Sequence, residues 1–529
     1  MVQLPLMTTS KEHLHKIILP LLVVLTAITS VFVFIHPMAI FPDPSWGFQV
    51  MRSMEHGGGF NLKIAPDQGN IANNYSEFLS WWSPGQYLLP YFFKSLFGLN
   101  IGQACAITIG FCEVLGIFGF YHFFRKAGFT KTISAVSIAF IASQLFYVTP
   151  FVFYNGGEVL LFGFGGWFLY GCLKFVQPKS WKMALFIILS GWIGFFCKSS
   201  FIWIYAASLC FIWIRASRTQ RLGKWLINAV WLGVPAITSF AVIYLAYLSK
   251  GHNPASAGNG LKLLWETFAF PLASPLIAGF SIDELVHGFL FHPDGAMFTY
   301  TNAVAIIAVL AASSIYVISR ILKTVPSADY RLMLVVFYVV STLFFSVSFL
   351  RQVAISFEGR HFRMMGLLFI PGAVYLVGEL LRPYRLIFGL LWVFILFSSL
   401  TYLINGYKVN KEEGAHGSAG ITQQFLDQPA LDELARLDNT SRNAIFVFIS
   451  PDLGLEVKHN RFITLDPISQ QMKINYEDYQ HCGHSGPLYI FLPSRYKGAK
   501  ATMIMKSFED YKGFRFTQLS EDYVLYAAQ

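Results

Sequence analysis

Phe41-Pro42-Asp43-Pro44-Ser45-Trp46, then Gly57-Gly58-Gly59-Phe60, then Trp81-Trp82-Ser83-Pro84-Gly85-Gln86-Tyr87: this stretch decides how the chain is read. It lies between two long apolar runs, one ending near His36 and the next beginning near residue 101. A polar loop carrying Asp43, Glu55, Asp67 and Glu77 is far more than a tether between two membrane anchors needs. It suits a protein that holds a carboxylate just above the lipid surface.

Composition fixes the class. Of 529 residues, 55% are hydrophobic and 13% charged, and the mean hydropathy is +0.51. Soluble domains carry about 25% charge. Apolar runs of about the length that spans a bilayer fall near 17–35, 101–122, 132–150, 157–174, 183–197, 200–214, 226–248, 302–319, 332–350, 364–381 and 386–404. The chain therefore reads as an all-α polytopic membrane protein of about eleven transmembrane helices. The first run follows Lys11 and Lys16, has no small-residue cleavage site and continues into His36-Pro37, which marks a retained helix rather than a signal peptide.

Orientation follows from the short connections, every second one of which is basic. Arg125, Lys126 and Lys131 occupy one, Lys174, Lys179 and Lys182 the next, then Arg215, Arg218, Arg221 and Lys224, then Arg320, Lys323 and Arg331, then Arg382 and Arg385. These turns and the N-terminus are expected in the cytoplasm, with the longer loops and the C-terminus outside. The net charge of +10 then serves lipid-surface anchoring, and no stripe suited to nucleic acid is present.

Residues 1–405 form the expected membrane module, with outward loops near 36–100 and 249–301. Tyr87 to Phe97 is too short to span and reads as an interfacial helix. Residues 406–529 begin with a glycine-rich joint at Gly414-Ala415-His416-Gly417-Ser418. A helical pattern from Ala430 to Leu437 follows, then strands at Ala444–Ile449, Leu488–Leu492 and Tyr523–Tyr526: a small extracytoplasmic α/β domain. Five of the six cysteines lie in apolar runs, so no disulfide framework or CxxC pair exists. His481-Cys482-Gly483-His484 has loose spacing for a metal and reads first as a polar loop.

Ionisable groups near membrane spans are costly and count as functional candidates. Asp43 stands just beyond the first span, where it either hangs just outside the bilayer or starts an Asp-Pro turn. Glu158 follows Tyr154-Asn155-Gly156-Gly157 and either caps a helix or points into a cavity. Lys198 interrupts an apolar run, either as a snorkelling lysine or as a ligand for an anionic headgroup. Arg351, Glu358, Arg360, His361 and Arg363 gather where positive charge is otherwise scarce, and guanidinium groups fit phosphate.

Asp43 with Trp46-Gly47-Phe48, Gly58-Gly59-Phe60 and Trp82-Ser83-Pro84-Gly85-Gln86-Tyr87-Leu88-Leu89 resembles the opening of the GT-C superfamily of polyprenyl-phosphate-sugar-dependent glycosyltransferases. The group containing lipid A aminoarabinose transferases and protein O-mannosyltransferases is the nearest in pattern. Phe196-Cys197-Lys198-Ser199-Ser200 resembles that group's break between two short helices, and Arg360-His361-Phe362 with Pro371 its late basic element. Asp43 is followed by Pro44 where many members have a second acid, and Ser83 stands where the first of two prolines is usual.

The resemblance implies a GT-C-like fold and transfer of a sugar from a polyprenyl-phosphate donor to a glycan, lipid or protein acceptor outside the membrane, a bacterial inner membrane being the expected location. It implies Asp43 as the base, with Glu158, Lys198, Arg360, His361 and Arg363 binding substrate; a divalent metal is optional. Two other classes share parts of the pattern. A transporter or flippase of a lipid-linked saccharide shares the basic cavity but needs no polar first loop and is often built of repeats, none of which is found. An assembly protein explains the tail but not Lys198 or the arginines.

Overall fold

The structure, a computed structural model, describes residues 13–251, 260–290, 297–424, 426–465 and 479–529. Lys11 and parts of the 249–301 loop fall outside them. Each of the eleven apolar runs is helical. Among the described residues, seven helices are long and apolar enough to cross a membrane: His15–Ile35, Ile101–Lys126, Leu222–Lys250, Tyr300–Thr324, Ala328–Leu350, Gly359–Glu379 and Arg382–Glu412. The pair Lys131–Ala142 and Leu145–Phe151, bent by 66°, makes an eighth. Gly157–Lys174 and the shorter apolar helices Trp181–Cys197 and Phe201–Ser217 complete the eleven. The chain is a multi-pass integral membrane protein.

Two compact units divide the described chain. The first comprises residues 1–29, 109–150 and 157–403; the second comprises 30–108, 151–156 and 404–529. The last boundary lies close to the expected break at 405, while the first loop groups with the tail.

Within the first unit, helices approach through small residues. Bilayer helices gain little from apolar burial against one another and depend on close packing. A Cβ on Gly166 would lie 2.3 Å from the Phe120 backbone nitrogen, and one on Gly163 2.9 Å from the Cys112 carbonyl oxygen. The 249–301 region contains a helix that hydropathy missed: Glu266–Gly279, 14 residues long, holding Pro271 and Pro275, with most of its side chains buried. It packs against Tyr300–Thr324, Ala328–Leu350 and Arg363–Glu379. A Cβ on Gly366 would meet the backbone of Ala278 and Gly279 at 2.5 Å, so these helices touch main chain to main chain.

The second unit has a five-stranded sheet in the order Arg515–Gln518, Tyr523–Ala528, Leu488–Pro493, Ile445–Phe448, Arg461–Thr464. The first two pairings are antiparallel and the last two parallel. Alternation along each strand splits the core into two layers. Ile445, Val447, Ile490, Leu492 and Val524 pack with Ala501 and Ile504 of the helix Ala499–Lys506. Phe446, Phe448, Phe491 and Leu525 pack with Leu431 and Leu434 of the helix Gln428–Thr440. The tail has the expected α/β content, its five-stranded sheet holding two strands, and the tail one helix, beyond those read from sequence.

The first loop is structured too. Pro42–Glu55 is a helix with proline at its first position, where a missing N–H costs nothing. It ends in a Schellman turn: Gly57 adopts φ +85, Gly58 N–H donates to the Ser53 carbonyl and Gly57 N–H to that of Met54. The segment read from sequence as an interfacial helix is helical over Gly85–Phe97.

Candidate functional site

The first unit gathers most of the suspected charges. Glu158 occupies the opening turn of Gly157–Lys174, where the helix dipole favours an acid. Lys198 sits at the end of Trp181–Cys197 in extended conformation, φ −157 and ψ 132. A Cβ on Gly157 would come within 2.9 Å of the Cys197 carbonyl oxygen and 3.2 Å of Lys198 Cγ. Only glycine allows that approach, and it sets the next residue, Glu158, against the lysine. Lys198 Nζ lies 2.5 Å from Glu158 Oε1, both side chains mostly buried.

The turn Gly359–Phe362 carries Arg360 and His361. Arg360 Nη2 donates to Glu358 Oε2 at 3.0 Å. The same carboxylate accepts from Ser356 Oγ, and His361 Nε2 stands 3.9 Å away from it. Arg360 lies within electrostatic reach of Glu158, Lys198 and His361. Glu158, Lys198, Arg360 and His361 therefore form one cluster.

Arg363 faces a neighbouring set of partners. Its Nη1 donates to the Ala278 carbonyl at 2.8 Å and to Ser281 Oγ at 3.1 Å, its Nη2 pairs with Glu284, and the guanidinium covers Phe146 at 4.1 Å. Ser281, at φ +50, donates in turn to Gln144 Oε1, and Gln144 Nε2 bonds the Gly279 carbonyl. Arg363 thereby ties the Pro-rich buried helix to the bend at residues 143–144. Each of the three cations has its own carboxylate: Lys198 with Glu158, Arg360 with Glu358, Arg363 with Glu284.

Sequence reasoning missed Asp283. Its carboxylate accepts from Gly359 N–H at 2.7 Å and Phe289 N–H at 3.0 Å, and so anchors the turn bearing Arg360. Burial, and then neighbouring Glu284, raise its pKa to about 7. The acidic pair Asp283-Glu284 was the only signal in the sequence, and nothing local tied it to a turn 76 residues later.

Asp43 belongs to the second unit, half-buried in the first turn of Pro42–Glu55. A short parallel pairing, Ala39–Ile40 on Phe153–Tyr154, and the Phe41 N–H bond to the Tyr154 carbonyl set where this helix begins. Its far end is clamped to the tail. Gln49 Nε2 donates to the Pro451 carbonyl at 2.7 Å; Arg52 donates to the carbonyls of Val457 at 2.7 Å and Asn460 at 3.0 Å.

The other loop acids have structural partners. Glu55 pairs with Lys94, Asp67 accepts from Gly69 and Asn70 N–H in an Asx turn, and Glu77 accepts from Tyr75 Oη. Around the re-entry motif, Ser83 Oγ, Gln86 Nε2 and Asn155 Oδ1 are buried atoms with no hydrogen-bond partner among the described residues. A Cβ on Gly156 would lie 2.6 Å from Gln86 Oε1 and 3.2 Å from Pro44 Cγ, so residue 156 sits between Gln86 and the start of the Asp43 helix.

Among the described residues no group of three His, Cys, Asp or Glu could hold a metal ion. His481 stacks on Phe508 and bonds the Tyr479 carbonyl, and His484 stacks on Tyr511.

No family model and no curated relative matches the chain. Solved structures do. ArnT from Cupriavidus metallidurans in the apo state aligns over 96% of this chain and 97% of its own, with 12% identity and a TM-score of 0.51. An oligosaccharyltransferase from Archaeoglobus fulgidus, tethered to an acceptor peptide, aligns over 98% of this chain and 74% of its own, with 14% identity and a TM-score of 0.51. At such identities the likeness is one of fold: this chain has the GT-C architecture.

Proposed function

We propose that this protein is an integral membrane glycosyltransferase. Its donor is a sugar on polyprenyl phosphate, and its acceptor is a glycan, lipid or protein at the outer face of the membrane. The observation that carries the reading is the mostly buried Lys198–Glu158 pair in one cluster with the half-buried Arg360–Glu358 pair, in a GT-C fold. Buried cations in a bilayer protein are expensive and mark substrate sites.

The chemistry needs two things. An acceptor oxygen attacks the anomeric carbon while the bond from that carbon to the phosphate oxygen breaks, and its electron pair leaves with the lipid phosphate. Lys198 and Arg360 stabilise the charge that develops there. The acceptor's proton passes to a carboxylate, for which Asp43 is the candidate. Glu158 orients Lys198, His361 lines the phosphate site, and Arg363 positions the turn that carries Arg360. Ser83, Gln86 and Asn155 offer polar atoms to sugar hydroxyls. The expected setting is a bacterial inner membrane, with the N-terminus cytoplasmic and the tail outside.

The test is turnover with a polyprenyl-phosphate sugar. Asp43→Asn keeps size and polarity but cannot take a proton, so transfer should fall about 10²–10⁴-fold with donor binding kept. Lys198→Ala and Arg360→Ala should weaken donor binding. Wild-type rates in Asp43→Asn would dismiss it as base. Movement of lipid-linked sugar without transfer would favour a flippase.

A further inference from the structure

The cluster is electrically balanced before any ligand arrives, and that balance has to be undone to admit a phosphate. Of the three pairs, Lys198 with Glu158 and Arg363 with Glu284 join helices or loops distant in the chain. The third differs. Glu358 and Arg360 sit two residues apart on one turn, with Gly359 between them held by Asp283. Their pairing ties no two elements together, so the fold does not depend on it.

Glu358 also has a second place to go. Ser356 Oγ already donates to its carboxylate, and Ser356 Oγ stands 3.4 Å from His361 Nε2. A carboxylate displaced from Arg360 keeps a hydrogen-bond partner at Ser356, with His361 beside it, so release does not strand a buried charge. It can alternate between Arg360 and the Ser356 side.

The substrate chemistry makes such an alternation useful. A sugar-bearing polyprenyl phosphate is a phosphodiester with one negative charge. Once the sugar has gone, the lipid carries a phosphomonoester, whose second ionisation near pH 6 gives it close to two. Two cations hold the product more tightly than the donor, which would slow turnover. A tethered carboxylate that competes for one of those cations weakens that hold.

We infer that Glu358 is an internal stand-in for phosphate, occupying Arg360 in the empty site and re-entering it to expel the polyprenyl phosphate product. The inference rests on the reading that Arg360 receives the lipid phosphate. Glu358→Gln keeps the shape of the side chain and removes its charge. It should therefore bind phosphate better than wild type, a gain that mere structural damage would not give.

Binding is measured on the full-length protein in lipid nanodiscs, with polyprenyl phosphate as one probe and inorganic phosphate as the other. Glu358→Gln should bind polyprenyl phosphate about tenfold tighter, the scale of one charge-assisted bond, and show stronger product inhibition. A gain for both probes assigns the competition to the phosphate group. A gain for the lipid alone, or equal or weaker binding of polyprenyl phosphate, overturns the inference. If Glu358→Gln melts early, Ser356→Ala carries the test, since freeing the carboxylate from Ser356 alters the same competition: unchanged binding and product inhibition there also overturn it. A wild-type protein that binds no polyprenyl phosphate at all refutes the donor-site reading instead.

Discussion

The two units are held together by different physics. In the first, contact depends on shape: glycines at 163, 166 and 366 let helix backbones meet, and each cation of the cluster is paired with one carboxylate. In the second, residues some four hundred positions apart are joined by directional bonds from side chain to main chain, as from Gln49 to Pro451 and from Arg52 to Val457. A bilayer offers no water to bond a stray polar group, so the membrane unit economises on polar contacts and relies on fit. The second unit instead uses polar side chains as clasps on main-chain carbonyls.

The sharpest way to break this contrast is Gly166→Ala. The new methyl group meets the Phe120 nitrogen at 2.3 Å, an obstacle that no rotamer change relieves. Overpacking of this kind costs about 3 kcal/mol, and a melting curve of the purified protein should fall accordingly; an unchanged curve would mean the helices have slack.

Arg52→Ala tests the other unit. It takes two bonds from the Val457 and Asn460 carbonyls and removes the packing over Phe462. A loss of about 2 kcal/mol is expected, visible as faster proteolysis of the tail, with the helices of the membrane unit unaffected in far-ultraviolet dichroism.

The smallest effect concerns Asp283 and pH. Its folded pKa of about 7 exceeds its ordinary value of 3.8, so between these limits the folded state binds more protons than the unfolded one. Its contribution to stability is full below about pH 4 and is lost as pH rises through 7. Asp283→Asn should flatten the melting temperature between pH 5 and 8 by a few degrees; a slope equal to wild type would place the titration elsewhere.

The parts of this design legible in sequence were those governed by local composition. Every apolar run became a helix, because length and hydropathy suffice to specify one. Lys198, Arg360 and Glu158 stood out because charge is rare near spans. Glu266–Gly279 escaped notice because it is short and holds two prolines, which disguise a buried helix as a loop. Pro42–Glu55 was hidden by Pro-Asp-Pro, a pattern that suits a turn as well as the helix start it is. Glu284 and Asp283 could not be found, since their partners lie 79 and 76 residues downstream and no periodicity links them.

The order of the three ion pairs along the chain has a consequence for how the protein is made. Glu158 precedes Lys198 by 40 residues, Glu284 precedes Arg363 by 79, and Glu358 precedes Arg360 by two. In each pair the ribosome delivers the acid first. A carboxyl group can enter hydrocarbon protonated and neutral, whereas an arginine stays charged. Synthesis in this order leaves a waiting partner for each of these three cations as it arrives.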